Sequence, residues 1–245
     1  MILPKSEDAI HKAWLYRVLS AIYDNPTLAN TLYFKGGTCA AMLGYLDRFS
    51  VDLDFDLAEK KEAIKTVKQN LENIFHKMGL EIKDQSKLVP QYFLKYAAPK
   101  NKRNTIKIDI TMPPPKSNIY EIKEFREIDR IIPCQTIETM FANKLVAVID
   151  RFEKNHSIAG RDIYDIHHFF LQGFHYHKPV ILERRKQALP DFFRELIAFI
   201  EKRVTDTIVS QDLNMLLSPA VFQRIRKILT RETLMFLNDE LARLQ

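Results

Sequence analysis

The sequence predicts an α/β fold: a mixed sheet with flanking helices, followed by a mainly helical C-terminal domain. Three observations carry that expectation. Strand-like and helix-like periods interleave as far as about residue 132. SVDLDFDL (50–57) alternates polar and apolar residues, the period of a strand with one buried face. From about residue 135 onward, apolar residues recur at helical spacing. Two domains are therefore expected, residues 1–132 and residues 133–245, with the boundary near Pro133.

In chain order, residues 7–23 read as a helix with Ile10, Trp14 and Val18 on one stripe. TLYF (31–34) is a short apolar strand that runs into Gly36 and Gly37, and TCAAMLGYL (38–46) opens the next helix. The acidic strand 50–57 follows. Residues 59–78 form a helix whose inner stripe is Ile64, Val67, Leu71, Ile74 and Phe75. QYFLKYAA (91–98) and TIKIDITM (105–112) are strands joined by the basic turn PKNKRN, and the prolines at 113–115 stop the second.

The balance of 46% hydrophobic and 28% charged residues over 245 positions suits a soluble chain of one large or two small domains. No apolar run approaches the roughly 18 residues needed to span a bilayer, so no membrane partner is expected. The start, MILPKSEDAIHK, lacks a signal peptide's basic end and apolar stretch. Two cysteines, Cys39 and Cys134, make no disulfide framework and have no CxxC spacing. A reducing, cytoplasmic setting is expected. The net charge of +6 permits a polyanionic partner.

Two features ask for chemistry. Residues two apart on a strand share a face, so Asp52, Asp54 and Asp56 project together while Leu53, Phe55 and Leu57 face the core. Crowded carboxylates repel, and a divalent cation relieves that repulsion; hard oxygen ligands suit Mg²⁺. A solvated strand face is the other reading of these acids. TIKIDITM sets Asp109 mid-strand between Ile108 and Ile110, counted in step with Thr105 and Thr111 and out of step with Lys107. A lone strand acid is ordinarily just exposed. Beside Asp52 and Asp54 it would complete a metal site for phosphoryl transfer.

Gly36 and Gly37 are two of six glycines in the chain. A strand ending in Gly-Gly-Thr and opening a helix aims backbone N–H groups outward, where an anion can approach. A tight strand-to-helix turn with no ligand is equally compatible with these three residues. Neither G-x-G-x-x-G nor the P-loop pattern is present.

In QTIETMFANKLVAVIDRF, Ile137, Met140, Phe141, Leu145, Val148 and Phe152 form an apolar stripe at about 100° per residue. Lys144 falls inside that stripe and Arg151 lies on the same side. Lys144 either snorkels or enters a cleft to meet phosphate. If it meets phosphate, Lys144→Met is expected to keep or raise stability while NTP use collapses; if it snorkels, that variant is expected to turn over nucleotide normally. In RDIYDIHHFF, Asp162 and Asp165 share a helix edge beside the stripe of Ile163, Ile166 and Phe170. Asp162 near a helix start could equally serve the dipole. The histidines of HHFFLQGFHYH lack the geometry of a zinc site, because His167 and His168 diverge by about 100°. PKNKRN and ERRK (183–186) read as solvated turns, either of which could grip RNA phosphates.

Taken together, the paired glycines, the D-x-D strand and the later carboxylate resemble the nucleotidyltransferase superfamily. More narrowly, FKGGTCAAMLGYLDRFSVDLDF resembles the first motif of the AbiEii/AbiGii toxin family, also called the MenA-like nucleotidyltransferases. KIDI (107–110), NKLVAVIDR (143–151) and GRDIYDIHHF (160–169) resemble its second, third and fourth. The tail after residue 175 matches no motif.

The resemblance implies a nucleotidyltransferase-superfamily sheet and an active site between sheet and helical domains. It implies Asp52, Asp54 and Asp109 as catalytic ligands of Mg²⁺, with Mn²⁺ as the alternative ion. Gly36, Gly37, Thr38, Arg48, Ser50, Lys144 and Asp165 would bind the NTP, with Lys144 and Asp162 also catalytic. The acceptor it implies is RNA, at the 3′ end of tRNA. The role it implies is the toxin of a bacterial toxin–antitoxin or phage-defence system, with an antitoxin encoded alongside. The rival readings are a transferase that modifies a protein or small molecule, and a fold that binds nucleotide or RNA without chemistry.

Overall fold

The structure, a computed structural model, describes residues 1–57, 63–86, 89–100 and 102–245. They divide into two compact units, each described by itself. The first holds Met1–Pro114 and Ile119–Gln135; the second holds Pro115–Asn118 and Thr136–Gln245.

The first unit is built on a mixed sheet. Its elements are α1 (Ala9–Tyr23), α2 (Pro26–Thr31), β1 (Leu32–Lys35), α3 (Gly36–Met42), β2 (Asp52–Leu57), α4 (Ala63–Lys77), β3 (Glu81–Gln85), β4 (Gln91–Lys95), β5 (Thr105–Thr111), β6 (Tyr120–Phe125) and β7 (Arg130–Gln135). The seven strands lie in the order β3-β4-β5-β2-β1-β7-β6. The acidic strand β2 is therefore central, parallel to β5 and antiparallel to β1. Alternation holds where it matters: Leu53, Phe55, Ile106 and Ile108 are fully buried, with Phe34 of β1 beside them. Fully burying each such side chain stabilises the unit by about 1.5–3 kcal/mol. The core thus fixes which way the intervening acids point.

Several expectations need correction. In α1 the buried stripe is His11, Leu15, Val18, Leu19 and Ile22, whereas Ile10 is exposed. His11 fits that interior because its ring bonds the Tyr96 hydroxyl (2.8 Å) and the Val51 carbonyl (3.0 Å). Burial lowers its pKa to about 4, with Arg103 adding to the shift and the Val51 bond opposing it. Of the helix expected over 59–78, residues 59–62 lie outside the described residues, as does Asn101 of the basic turn. The rest of that helix is α4, with Val67, Leu71 and Phe75 buried as expected. Pro133 lies inside β7, and β3, β6 and β7 were not anticipated.

The second unit is helical: α5 (Ile137–Asn155), α6 (Gly160–Leu171), α7 (Lys178–Arg185), α8 (Leu189–Arg203), α9 (Asp206–Leu213), α10 (Pro219–Ile225) and α11 (Leu229–Arg243). Thr136 caps α5 by accepting from the Thr139 N–H. Met140, Phe141, Leu145 and Val148 of the expected stripe are buried, and Phe141 packs against Phe169 and Phe170 of α6. At Gly160 an added Cβ would come within 2.8 Å of the Val209 Cα, so α6 meets the α9 backbone at a point only glycine allows.

Candidate active site

Register brings the strand acids together. On the parallel pair β2 and β5, Asp54 lies opposite Asp109, and Asp52 lies opposite Lys107. Adjacent strands stand about 4.8 Å apart. One sheet face therefore carries three acids and a lysine as a two-by-two square. Lys107 was counted out of step with Asp109; two residues apart on a regular strand, they share a face. Lys107 Nζ donates to Asp109 Oδ2 at 2.5 Å, and Gln91 Nε2 from β4 donates to the same oxygen at 3.2 Å. An alternate count from Asp109 would have found Lys107.

Asp56 shares the face of Asp52 and Asp54 but has a different environment. It is fully buried and accepts from Lys35 Nζ (2.6 Å), Gln135 Nε2 (2.7 Å) and the Tyr120 hydroxyl (2.9 Å). Lys35 also donates to Thr111 Oγ1 at 2.7 Å. Asp56 thus ties β1, β2, β6 and β7 together. No sequence signal separates it from its two neighbours, because β6 and β7 supply two of its partners.

The glycine turn closes over the square. Gly36 has φ +77°, and a Cβ there would lie 2.4 Å from Asp54 Oδ2. At Gly37 a Cβ would lie 2.7 Å from an Arg48 guanidinium nitrogen and 3.0 Å from Ser50 Oγ. Thr38 donates through its hydroxyl to the Asp52 carbonyl at 2.5 Å. Arg48 is 2% exposed and donates to the Phe49 carbonyl, so it supports the turn from below. Gly36, Gly37, Thr38, Arg48, Ser50, Asp52 and Asp54 thus form one neighbourhood.

A direct prediction follows from the turn. Gly36→Ala forces an L-residue into the left-handed region, at about 1 kcal/mol, and displaces the Asp54 carboxylate. Gly44 has φ +78° with open space around it. Gly44→Ala should therefore cost similar stability yet spare activity, whereas Gly36→Ala should lose most activity. Equal turnover by the two variants at matched folding would contradict this placement.

Among the described residues, no three His, Cys, Asp or Glu side chains are gathered to hold a metal ion. The donor chemistry nonetheless fits a hard divalent cation, with Asp52, Asp54 and Asp109 on one face at adjacent register. Asp109 is held instead by Lys107 and Gln91.

The second unit holds its own buried cluster. Lys144 Nζ pairs with Asp162 Oδ1 at 2.8 Å and with Asp165 Oδ2 at 2.9 Å. Arg151 donates twice to Asp162 Oδ2, at 3.0 and 3.2 Å. Both acids are fully buried. The four charged residues that helical spacing singled out are therefore one assembly. Burial alone would raise the Asp162 pKa, but the Lys144 ammonium and the Arg151 guanidinium outweigh it and hold the carboxyl well below the ordinary range.

That shift sets a pH dependence. A carboxyl with a depressed native pKa adds stability in full above its unfolded value of about 3.9, and loses it as pH falls toward the native value. Urea midpoints should drop as pH falls below about 4, and Asp162→Asn should flatten that acid limb. An unchanged acid limb in Asp162→Asn would contradict the pairing.

Other expected contacts fall differently. ERRK is not a solvated turn: Arg184 and Arg185 end α7, where Arg184 pairs with Asp150, and Arg185 with Asp150, Glu153 and Glu195. His167 meets Glu232 of α11 at 2.8 Å.

The family described as nucleotidyl transferase AbiEii toxin, type IV TA system, has a sequence model that matches residues 17–231. The match runs well past the four motifs, into the tail that motif reading left unassigned. No curated protein matches. Among solved structures, a candidate nucleotidyltransferase from H. pylori superposes with a TM-score of 0.59 at 23% identity, covering 98% of this chain and 99% of that one. JHP933 from Helicobacter pylori gives 0.57 at 21% identity, covering 99% and 95%. These likenesses show the shared fold. No helix among the described residues is long and apolar enough to cross a membrane.

Proposed function

The chain belongs to the AbiEii family of nucleotidyl transferase toxins, and we propose that it moves a nucleoside monophosphate from an NTP to a hydroxyl of RNA, releasing pyrophosphate. The acceptor in this reading is the 3′ end of tRNA. The observation that carries it is the meeting of Asp54 and Asp109 in register under the Gly36–Gly37 turn.

Asp52, Asp54 and Asp109 would hold Mg²⁺ or Mn²⁺. Such an ion, when bound, lowers the pKa of the attacking hydroxyl and neutralises charge on the leaving phosphates. The chain's own residues supply the rest of the proposal. Gly36 and Gly37 let the turn seat directly on Asp54, Arg48 and Ser50, and its backbone N–H groups are what would meet a triphosphate. Lys35, held by Asp56 and Thr111, stiffens the strand that leads into the turn. In the second unit, Asp162 and Asp165 orient the Lys144 ammonium, which suits it to meet an anion. The net charge of +6 favours a polyanionic acceptor.

Blocking or extending the acceptor end of tRNA stops aminoacylation, and that gives the toxin role its chemistry. The proposed setting is the bacterial cytoplasm, with an antitoxin encoded alongside and phage defence as one use. Inducing the wild-type chain in bacteria should slow growth and add nucleotides to tRNA 3′ ends, read by deep sequencing. Asp52→Ala at equal abundance should do neither. Equal slowing by both, with unaltered tRNA ends, would count against this function.

A further inference from the structure

We infer that Lys107 is a resident counter-ion of the carboxylate square, and that it must leave Asp109 before a divalent cation binds there. The inference rests on the metal reading above and deepens it. Its basis is the register: Asp52 opposite Lys107, and Asp54 opposite Asp109. A positive side chain thus stands among three acids on the face where a dication would sit. Its ammonium lies 2.5 Å from Asp109 Oδ2, and Gln91 holds the same oxygen. This explains why the three carboxylates are in register but not gathered.

Burial separates this pair from the Lys35–Asp56 pair. Lys35 meets an Asp56 side chain with no exposure, an arrangement that is costly to break. The side chains of Lys107 and Asp109 are 30% and 32% exposed. Ion pairs open to water contribute little, so this one can exchange. A dication interacts twice as strongly with each carboxylate as an ammonium does and can reach several at once. Once displaced, the Lys107 ammonium stays on the same face, where an anionic triphosphate is the natural partner. Lys107 is thus a positioning residue: it neutralises Asp109 before loading and hands it over on loading.

The test is Mn²⁺ binding to the full chain, followed by electron paramagnetic resonance and independent of turnover. Lys107→Met removes the competitor and should tighten Mn²⁺ binding by about tenfold or more, the order expected from deleting a unit charge a few ångströms from the ion. Lys107→Arg keeps the charge and should stay near wild type. Asp54→Ala should weaken binding in either background. If Mn²⁺ binds wild type in an Asp54-dependent way but Lys107→Met binds equally or more weakly, the counter-ion inference is overturned and the metal reading stands. If no folded variant binds Mn²⁺, the metal reading fails and the inference fails with it.

Discussion

Asp54→Ala should leave the fold intact and lower the transfer rate by at least about a thousandfold, the loss expected when several kcal/mol of transition-state stabilisation go. The fold should survive because Leu53 and Phe55, both fully buried, hold the strand in the sheet. Activity should not survive, because Asp54 is the residue that both Asp109 and the Gly36 turn approach. Circular dichroism and melting check the first half, and labelled-nucleotide transfer checks the second. Near-normal turnover in a folded Asp54→Ala protein, or full activity in EDTA, would remove the assignment.

Lys144→Met should be strongly destabilising, contrary to what helical spacing alone suggests. A lysine set in an apolar stripe reads as a snorkelling side chain, which methionine replaces harmlessly. Here its ammonium lies within 2.9 Å of two fully buried carboxylates. Removing one partner of a buried pair costs about 3–5 kcal/mol, because a charge is left without compensation. For a chain of this length each kcal/mol lowers Tm by about 2–4 °C, so a fall of about 10 °C is expected. Adding Asp165→Asn should recover part of it, since that acid loses its lysine while Arg151 still meets Asp162. A single variant that melts like wild type would mean that Lys144 contributes nothing to the cluster.

Much of the site could be read from the residues because its parts are local. Gly36, Gly37, Asp52 and Asp54 sit within one short stretch, and the alternation of β2 gives their direction without tertiary information. The link from Asp54 to Asp109 is tertiary: register between β2 and β5 makes it, and no local count could. Lys107 differs from these, because positions 107 and 109 are two apart on one strand and alternation alone puts them on one face. Asp56 was unreadable as a structural residue because Tyr120 and Gln135 come from strands that the sequence hides. β6 breaks its alternation at Lys123 and Glu124 and ends the sheet with Ile122 exposed, so it lacks the buried stripe that marks a strand. β3 leaves most of its five residues exposed, and β7 carries a proline, which usually signals a break. On the helical side, spacing gathered Lys144, Arg151, Asp162 and Asp165. It could not show that the acids are buried, which is what changes the expected effect of Lys144→Met.

The central claim is nucleotidyl transfer to RNA, and one labelling reaction tests it directly. Wild-type protein, total bacterial RNA and Mg²⁺ are incubated with each NTP in turn, labelled on either the α- or the γ-phosphate. Transfer of a nucleoside monophosphate carries the α-phosphate onto the acceptor, while the γ-phosphate leaves in pyrophosphate. The account predicts α-label in the tRNA fraction with at least one NTP, no γ-label there, and loss of the signal in EDTA. Label confined to protein or small molecules, γ-label in RNA, or no transfer with any of the four NTPs would contradict it.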